Sequence, residues 1–191
     1  MRHSLIVALA IALSAITAHG DTLLISRLDG SEGAPSSQTI GVITPEFEAW
    51  GFGVDGPAPS YELGRLWPVD TGILAGGYVS WWPHQRQLYL EPLVLLQKQV
   101  GDVLLTSCQG IYIPLGDGQL AWFSGDTSVT TEIAENWRAG VSAHWWHQED
   151  FEALHFGPSV SVRTGKFNLL GRYYPFGNSQ ATWRLEASTS F

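Results

Sequence analysis

The sequence predicts an all-β protein: a closed antiparallel transmembrane β-barrel of about ten strands, with eight and twelve left open. Three observations predict it. Segments that alternate apolar and polar residues recur along the chain, the signature of strands with one apolar and one polar face. Turn chemistry rather than amphipathic helix separates them, and no stretch after residue 20 is apolar enough to span a bilayer as a helix. A membrane protein built this way must close its strands, because only helices and closed barrels satisfy the backbone in lipid. The third observation is an aromatic content of nine Trp, six Tyr and eight Phe in 191 residues, gathered near strand ends.

Residues 1–20 read as a cleaved secretory signal. Arg2 and His3 form a short basic start, Leu5–Leu13 an apolar run, and Ala18-His19-Gly20 a small-x-small site. Its removal takes Arg2 and no acid, moving the formal charge from −8 to −9. An acidic chain of this kind is a poor binder of nucleic acid, and none is expected as a partner. The lone Cys108 excludes an internal disulfide, so strand closure and packing must hold the fold. Residues 21–38 are turn-rich after Thr22–Leu28 and read as a periplasmic segment or an extra strand. Residues 39–191 form the barrel domain.

Candidate strands follow at 40–52, 60–67, 73–82, 86–98, 102–114, 118–125, 135–146, 152–163, 166–175 and 181–191. Most lie near the roughly 9–11 residues a tilted strand needs to cross. The connectors include Pro68–Gly72, Gly101-Asp102, Gly116-Asp117-Gly118 and Thr164-Gly165. An even count puts both ends on one side. Turns at 68–72, 99–102, 126–134 and 164–165 then fall in the periplasm, and loops at 53–59, 83–85, 115–118, 147–151 and 176–180 outside. On this topology Trp50, Trp81, Trp145, Tyr173 and Trp183 gather at the outer level, with Phe52, Trp82, Trp146 and Tyr174 beside them. Trp67, Trp137, Phe167 and Phe191 gather at the inner one. Two girdles of that kind mark the two membrane interfaces. Trp122 fits neither.

The closing strand alternates most strictly. Ala181, Trp183, Leu185, Ala187, Thr189 and Phe191 share one face; Thr182, Arg184, Glu186, Ser188 and Ser190 share the other. Ending on an aromatic, it resembles the last strand of bacterial outer-membrane β-barrels. That resemblance implies an outer-membrane location, contact with outer-membrane lipid and lipopolysaccharide, and recognition by the barrel-assembly machinery through this strand. More narrowly, Gly171-Arg172-Tyr173-Tyr174, Gly177-Asn178 and the closing strand look like the end of YaiO-type barrels, which implies a link to surface polysaccharide or an envelope complex. No functional residue is carried across from it.

The same alternation identifies the lumen. Glu46, Glu48, Glu62 and Glu91 form an acidic wall on the early strands; Arg138, Arg163, Arg172 and Arg184, with Glu186, form a largely basic wall on the late ones. The expected function is non-enzymatic: a structural or envelope barrel, or a narrow, transversely polarised passive pore. A side-chain-filled interior ranks above the open pore, because small barrels fill their own lumens. Two alternatives stand beside it. Ser142, His144 and Glu149, followed by Asp150, resemble the Ser–His–acid set at the rim of lipid A-modifying hydrolases and acyltransferases, although Ser precedes His here and both face the lumen. A secreted soluble ligand-binding β-protein would instead turn its apolar faces inward. No cofactor or metal is assigned, because His144 and His147 point to opposite faces of a strand.

Overall fold

The structure, a computed structural model, describes residues 22–190 apart from positions 32, 35, 117–119, 150 and 179. The proposed signal and the terminal Phe191 lie outside the described residues. The chain runs as β1 (Leu23–Ser31), β2 (Ser37–Ile43), β3 (Glu48–Phe52), β4 (Ser60–Asp70), β5 (Ile73–Trp82), β6 (Gln87–Val100), β7 (Val103–Pro114), β8 (Trp122–Ala134), β9 (Trp137–Gln148), β10 (Phe151–Thr164), β11 (Phe167–Tyr174), β12 (Phe176–Gly177) and β13 (Thr182–Ser190). Each strand pairs antiparallel with its neighbours, β13 returns to β1, and β10 pairs with β11, so the sheet closes on itself. β12 is a two-residue continuation of β11 past Pro175, where the missing N–H interrupts the ladder; it still pairs with β10. The barrel therefore has twelve staves rather than about ten.

Two local features account for the difference. Residues 40–52, expected as one strand, are a hairpin folded at Pro45. Thr44 Oγ1 accepts the backbone N–H groups of Glu46 at 3.2 Å and Phe47 at 3.0 Å, a side-chain-built turn that a proline inside it favours. Leu23–Ser31 supplies the other stave, between β13 and β2. A third boundary moves without changing the count. Residues 126–134, expected as a periplasmic turn, continue β8, and the actual turn is Glu135-Asn136, with Asn136 at φ 65°. Ser124, Asp126, Ser128 and Thr130 resemble turn residues in composition, yet they are alternate residues of one strand facing the lumen.

The polarity of the wall is inverted relative to a soluble protein. Val141 (61 % exposed), Leu63 (59 %) and Leu185 (56 %) face outward, whereas Ser80 (0 %), Glu91 (3 %) and Arg184 (7 %) are enclosed. An apolar core, which a soluble β-protein would need, is not what this barrel surrounds; its apolar faces need lipid. Turns of a few residues cluster at the end carrying Leu23 and Ser190, and the longer connections lie at the other. The short-turn end is the periplasmic one by the usual asymmetry of such barrels.

Lipid-facing aromatics occupy both rims: Trp81, Phe123, Tyr173 and Phe176 at the loop end, Trp67, Trp137 and Phe167 at the turn end. Elsewhere in the wall, three indoles lie against the glycine directly opposite them in the register: Trp183 on Gly30, Trp145 on Gly125 and Trp50 on Gly41. A Cβ at any of these glycines would collide with the ring. Each pair is thus a cross-strand contact that only glycine permits.

Candidate functional site in the barrel lumen

Strand register decides which side chains meet inside. Glu48, Gly64, Tyr78 and Glu91 are successive partners across β3 to β6, so all four share the lumen face. The next level up carries Trp50, Glu62, Ser80 and Tyr89. Buried carboxylates need donors, and here tyrosines and serine supply them. Tyr78 donates to Glu48 Oε2 at 2.5 Å, Ser80 to Glu62 Oε1 at 2.7 Å, and Tyr112, three staves away on β7, donates to the same Glu62 oxygen at 2.8 Å. The backbone N–H of Leu66 also donates to Glu48 Oε1 at 3.3 Å. Glu91 Oε2 is enclosed without a partner among the described residues.

The opposite wall is organised around Asp126 on β8. Its Oδ2 accepts from Arg184 Nη1 at 2.9 Å and sits 2.9 Å from His144 Nδ1, while Oδ1 accepts from Arg172 Nη1 at 3.2 Å. Arg184 also donates through Nε to Asp29 at 2.6 Å, and Asp29 accepts from Arg27 Nε at 2.7 Å. One network therefore ties β8 and β9 to β11, β13 and β1 through the lumen. Above the acidic wall, Trp82, Tyr89, Tyr112 and Trp122 form an aromatic cluster, with Tyr112 and Trp122 stacked at 3.9 Å and 2°.

Several predicted residues sit differently from expectation. Glu46 lies in the exposed Thr44–Phe47 turn rather than on the lumen wall, because the chain reverses there. Trp50 shares the parity of Glu48, and therefore turns inward with Phe52, against which it stacks at 6.1 Å; it is not an interface aromatic. Of each aromatic doublet only one member faces lipid, since neighbours on a strand point to opposite sides. Trp81, Trp145 and Tyr173 are outward; Trp82, Trp146 and Tyr174 are inward. Trp122, which fits neither girdle, belongs to the lumen cluster. Trp183 pairs with Tyr173 on the outer face.

Glu48, Glu91, Arg138, Arg163, Arg172, Arg184 and Glu186 occupy lumen-facing positions of the register. Asp126, Asp29 and Arg27 are additions that sequence reasoning missed. Their signal is present as alternation, but 126–134 reads as a turn and 21–38 as either a periplasmic segment or an extra strand. The Ser142, His144 and Glu149 set is not assembled. Ser142 Oγ is enclosed with no hydrogen-bond partner among the described residues, His144 is engaged by Asp126, and Glu149 is exposed in the outer loop. Asp150 lies outside the described residues.

No protein-family model matches the chain, and no curated protein does. Solved structures do. A KdgM porin in complex with disordered oligogalacturonate superposes with a TM-score of 0.60 at 7 % identity, covering 88 % of this chain and 99 % of that one. A second KdgM porin structure gives a TM-score of 0.58 at 8 % identity over the same shares. The chain has the fold of an outer-membrane β-barrel. The likeness rests on the fold, and the apolar outer belt with its aromatic rims places the barrel in the bacterial outer membrane. Neither structure bears on the YaiO-type resemblance of the closing hairpin.

Proposed function

We propose that this barrel is a narrow passive pore for small polar solutes, crossed by a transverse electric field. The observation that carries the reading is the lumen of a twelve-stave ring. Barrels of eight strands have room only for their own side chains, and those of sixteen to eighteen leave an aqueous channel; twelve lies between them. Inside, Glu48 and Glu62, which accept from tyrosines, and Glu91 on β6 stand opposite arginines on β9, β10, β11 and β13. Charges arranged this way orient a polar solute while holding no large net potential for one ion sign. The structural neighbour adds two supports, since it is a porin and its complex contains oligogalacturonate, a saccharide; both keep a link to surface polysaccharide within the proposal. A purely structural barrel, closed by the Asp126 network, is the second reading, favoured by the number of bonds that cross the lumen there.

Conductance of refolded protein in planar bilayers tests the choice. Stepwise conductance, with permeation of small sugars into proteoliposomes, is the expected result. Folded protein that conducts no better than bare lipid leaves only the structural barrel. Lipid A modification is not part of the proposal, because Ser142 has neither a base in contact nor a face toward the membrane.

A further inference from the structure

One polar cluster faces lipid rather than the lumen. The register places Ser107 and Gln109 of β7 opposite Thr127 and Gly125 of β8, and Gly125 opposite Trp145 of β9, all on the outer side of the wall. Gln109 Nε2 donates to Ser107 Oγ at 2.9 Å and lies 3.4 Å from Thr127 Oγ1; the two hydroxyls are 2.9 Å apart. The amide nitrogen and both hydroxyls are thus engaged with one another. Gln109 Oε1 accepts from no donor among the described residues and, unlike Ser142 Oγ, is not enclosed. Gln109 lines a groove of about 490 Å³ together with Pro92, Val94, Ile111, Phe123 and Trp145. Gly125 keeps the place open, since a Cβ there would meet both Gln109 Oε1 and the Trp145 ring. A second groove of about 440 Å³, on the wall of β1, β10, β11 and β13, is lined by Leu28, Val160, Leu169 and Leu185 and holds no side-chain amide. A carbonyl facing hydrocarbon is costly unless something in the membrane donates to it.

We infer that the Gln109 groove binds an acyl chain of outer-leaflet lipid A, through the hydroxyl on the third carbon of that chain. Depth argues for it. Phe123 belongs to the aromatic rim at the loop end, and Gly125, opposite Gln109, is two residues farther down β8, about 7 Å along the strand. The Gln109 carbonyl therefore sits just inside the hydrocarbon of the outer leaflet. A phospholipid chain carries no donor at that depth, whereas a 3-hydroxyacyl chain carries one close below its glucosamine linkage. That hydroxyl would donate to Gln109 Oε1, and the methylenes would lie against Pro92, Val94 and the Trp145 ring. At the rim above, His147 lies opposite Phe123 with ring centroids 6.4 Å apart, and its exposed imidazole can donate to a headgroup phosphate. The site needs the membrane location alone and holds whether or not the lumen conducts.

The test mixes the full refolded barrel, in detergent micelles, with lipid A and an excess of phosphatidylglycerol, and counts the retained lipids by native mass spectrometry. One lipid A per barrel is the expected result. Gln109→Leu, which keeps the bulk of the side chain and removes the carbonyl, should weaken retention about two- to tenfold. Lipid A made without its 3-hydroxyl groups should bind the wild-type barrel as weakly as lipid A binds that variant, an arm that needs no substitution. Leu169→Ala, in the second groove, should leave retention unchanged. Compact migration on gels run without boiling shows that each variant has folded. Equal retention of phosphatidylglycerol and lipid A, or of hydroxylated and hydroxyl-free lipid A, overturns the assignment. So does retention that Gln109→Leu leaves untouched. A paired-barrel mass that Gln109→Leu abolishes overturns it too, and gives the groove to a second copy of the chain.

Discussion

Asp126→Asn isolates the charge at the centre of the lumen network while keeping the size of the side chain. In the wild-type barrel one carboxylate meets two guanidiniums, Arg184 at 2.9 Å and Arg172 at 3.2 Å, as well as His144 at 2.9 Å. The substitution removes both ion pairs. Arg184 retains Asp29 at 2.6 Å, whereas Arg172 is left without a carboxylate partner among the described residues. Breaking a buried pair costs about 3–5 kcal/mol. Asp126 keeps 26 % side-chain exposure to the lumen, and Asn can still accept hydrogen bonds, so the expected loss is smaller, about 2 kcal/mol. Urea unfolding in lipid vesicles, followed by tryptophan fluorescence, measures it. Reversal potential across a salt gradient should shift toward anions, because two arginines lose their counter-charge where the network crosses the lumen. An unchanged unfolding midpoint together with an unchanged reversal potential would refute the claim that Asp126 organises the lumen. A cycle with Arg184→Gln sharpens the test: coupling of about 1–3 kcal/mol is expected, and strict additivity would mean that the two do not interact.

Val141→Arg places a charge near mid-height on the lipid face and is expected to cost about 2–4 kcal/mol in vesicles, whereas a soluble β-protein would accept it at an exposed site. Gly125→Val should displace Trp145 and destabilise by about 1–3 kcal/mol, read as an earlier loss of the compact band on gels run without boiling; Gly101→Val, in an open turn at φ 59°, meets no ring and separates strain from collision. Tyr112→Phe removes one of the two hydroxyl donors to Glu62 Oε1 and should lower stability by about 1–2 kcal/mol with the stack on Trp122 retained. Ser142→Ala is expected to leave the acylation pattern of lipid A unchanged in mass spectra, and a change there would reinstate the hydrolase alternative.

The outer face of this barrel is more legible in the sequence than its lumen, and the reason is physical. Lipid-facing positions are mostly apolar, so Ala139, Val141 and Ala143 alternate with polar residues and the period of two stands out. Lumen-facing positions have no such constraint. They accept Ser, Thr, Asp and Gly, the same residues that mark turns, which is why 126–134 reads as a turn and why Asp126 escapes a reading by composition. Alternation also names a face without naming a neighbour. Arg184 can be assigned to the lumen from its parity, but its partners Asp29 and Asp126 lie 155 and 58 residues away in sequence. They meet only because β13 closes onto β1 and β8 faces both. The charge pairs inside the lumen are therefore set by ring closure, a property of the whole chain, while the membrane belt is set residue by residue. A lumen substitution should accordingly have effects that depend on distant staves, and a belt substitution should act locally. The Asp126–Arg184 cycle and the Val141→Arg measurement place one substitution on each side of that distinction.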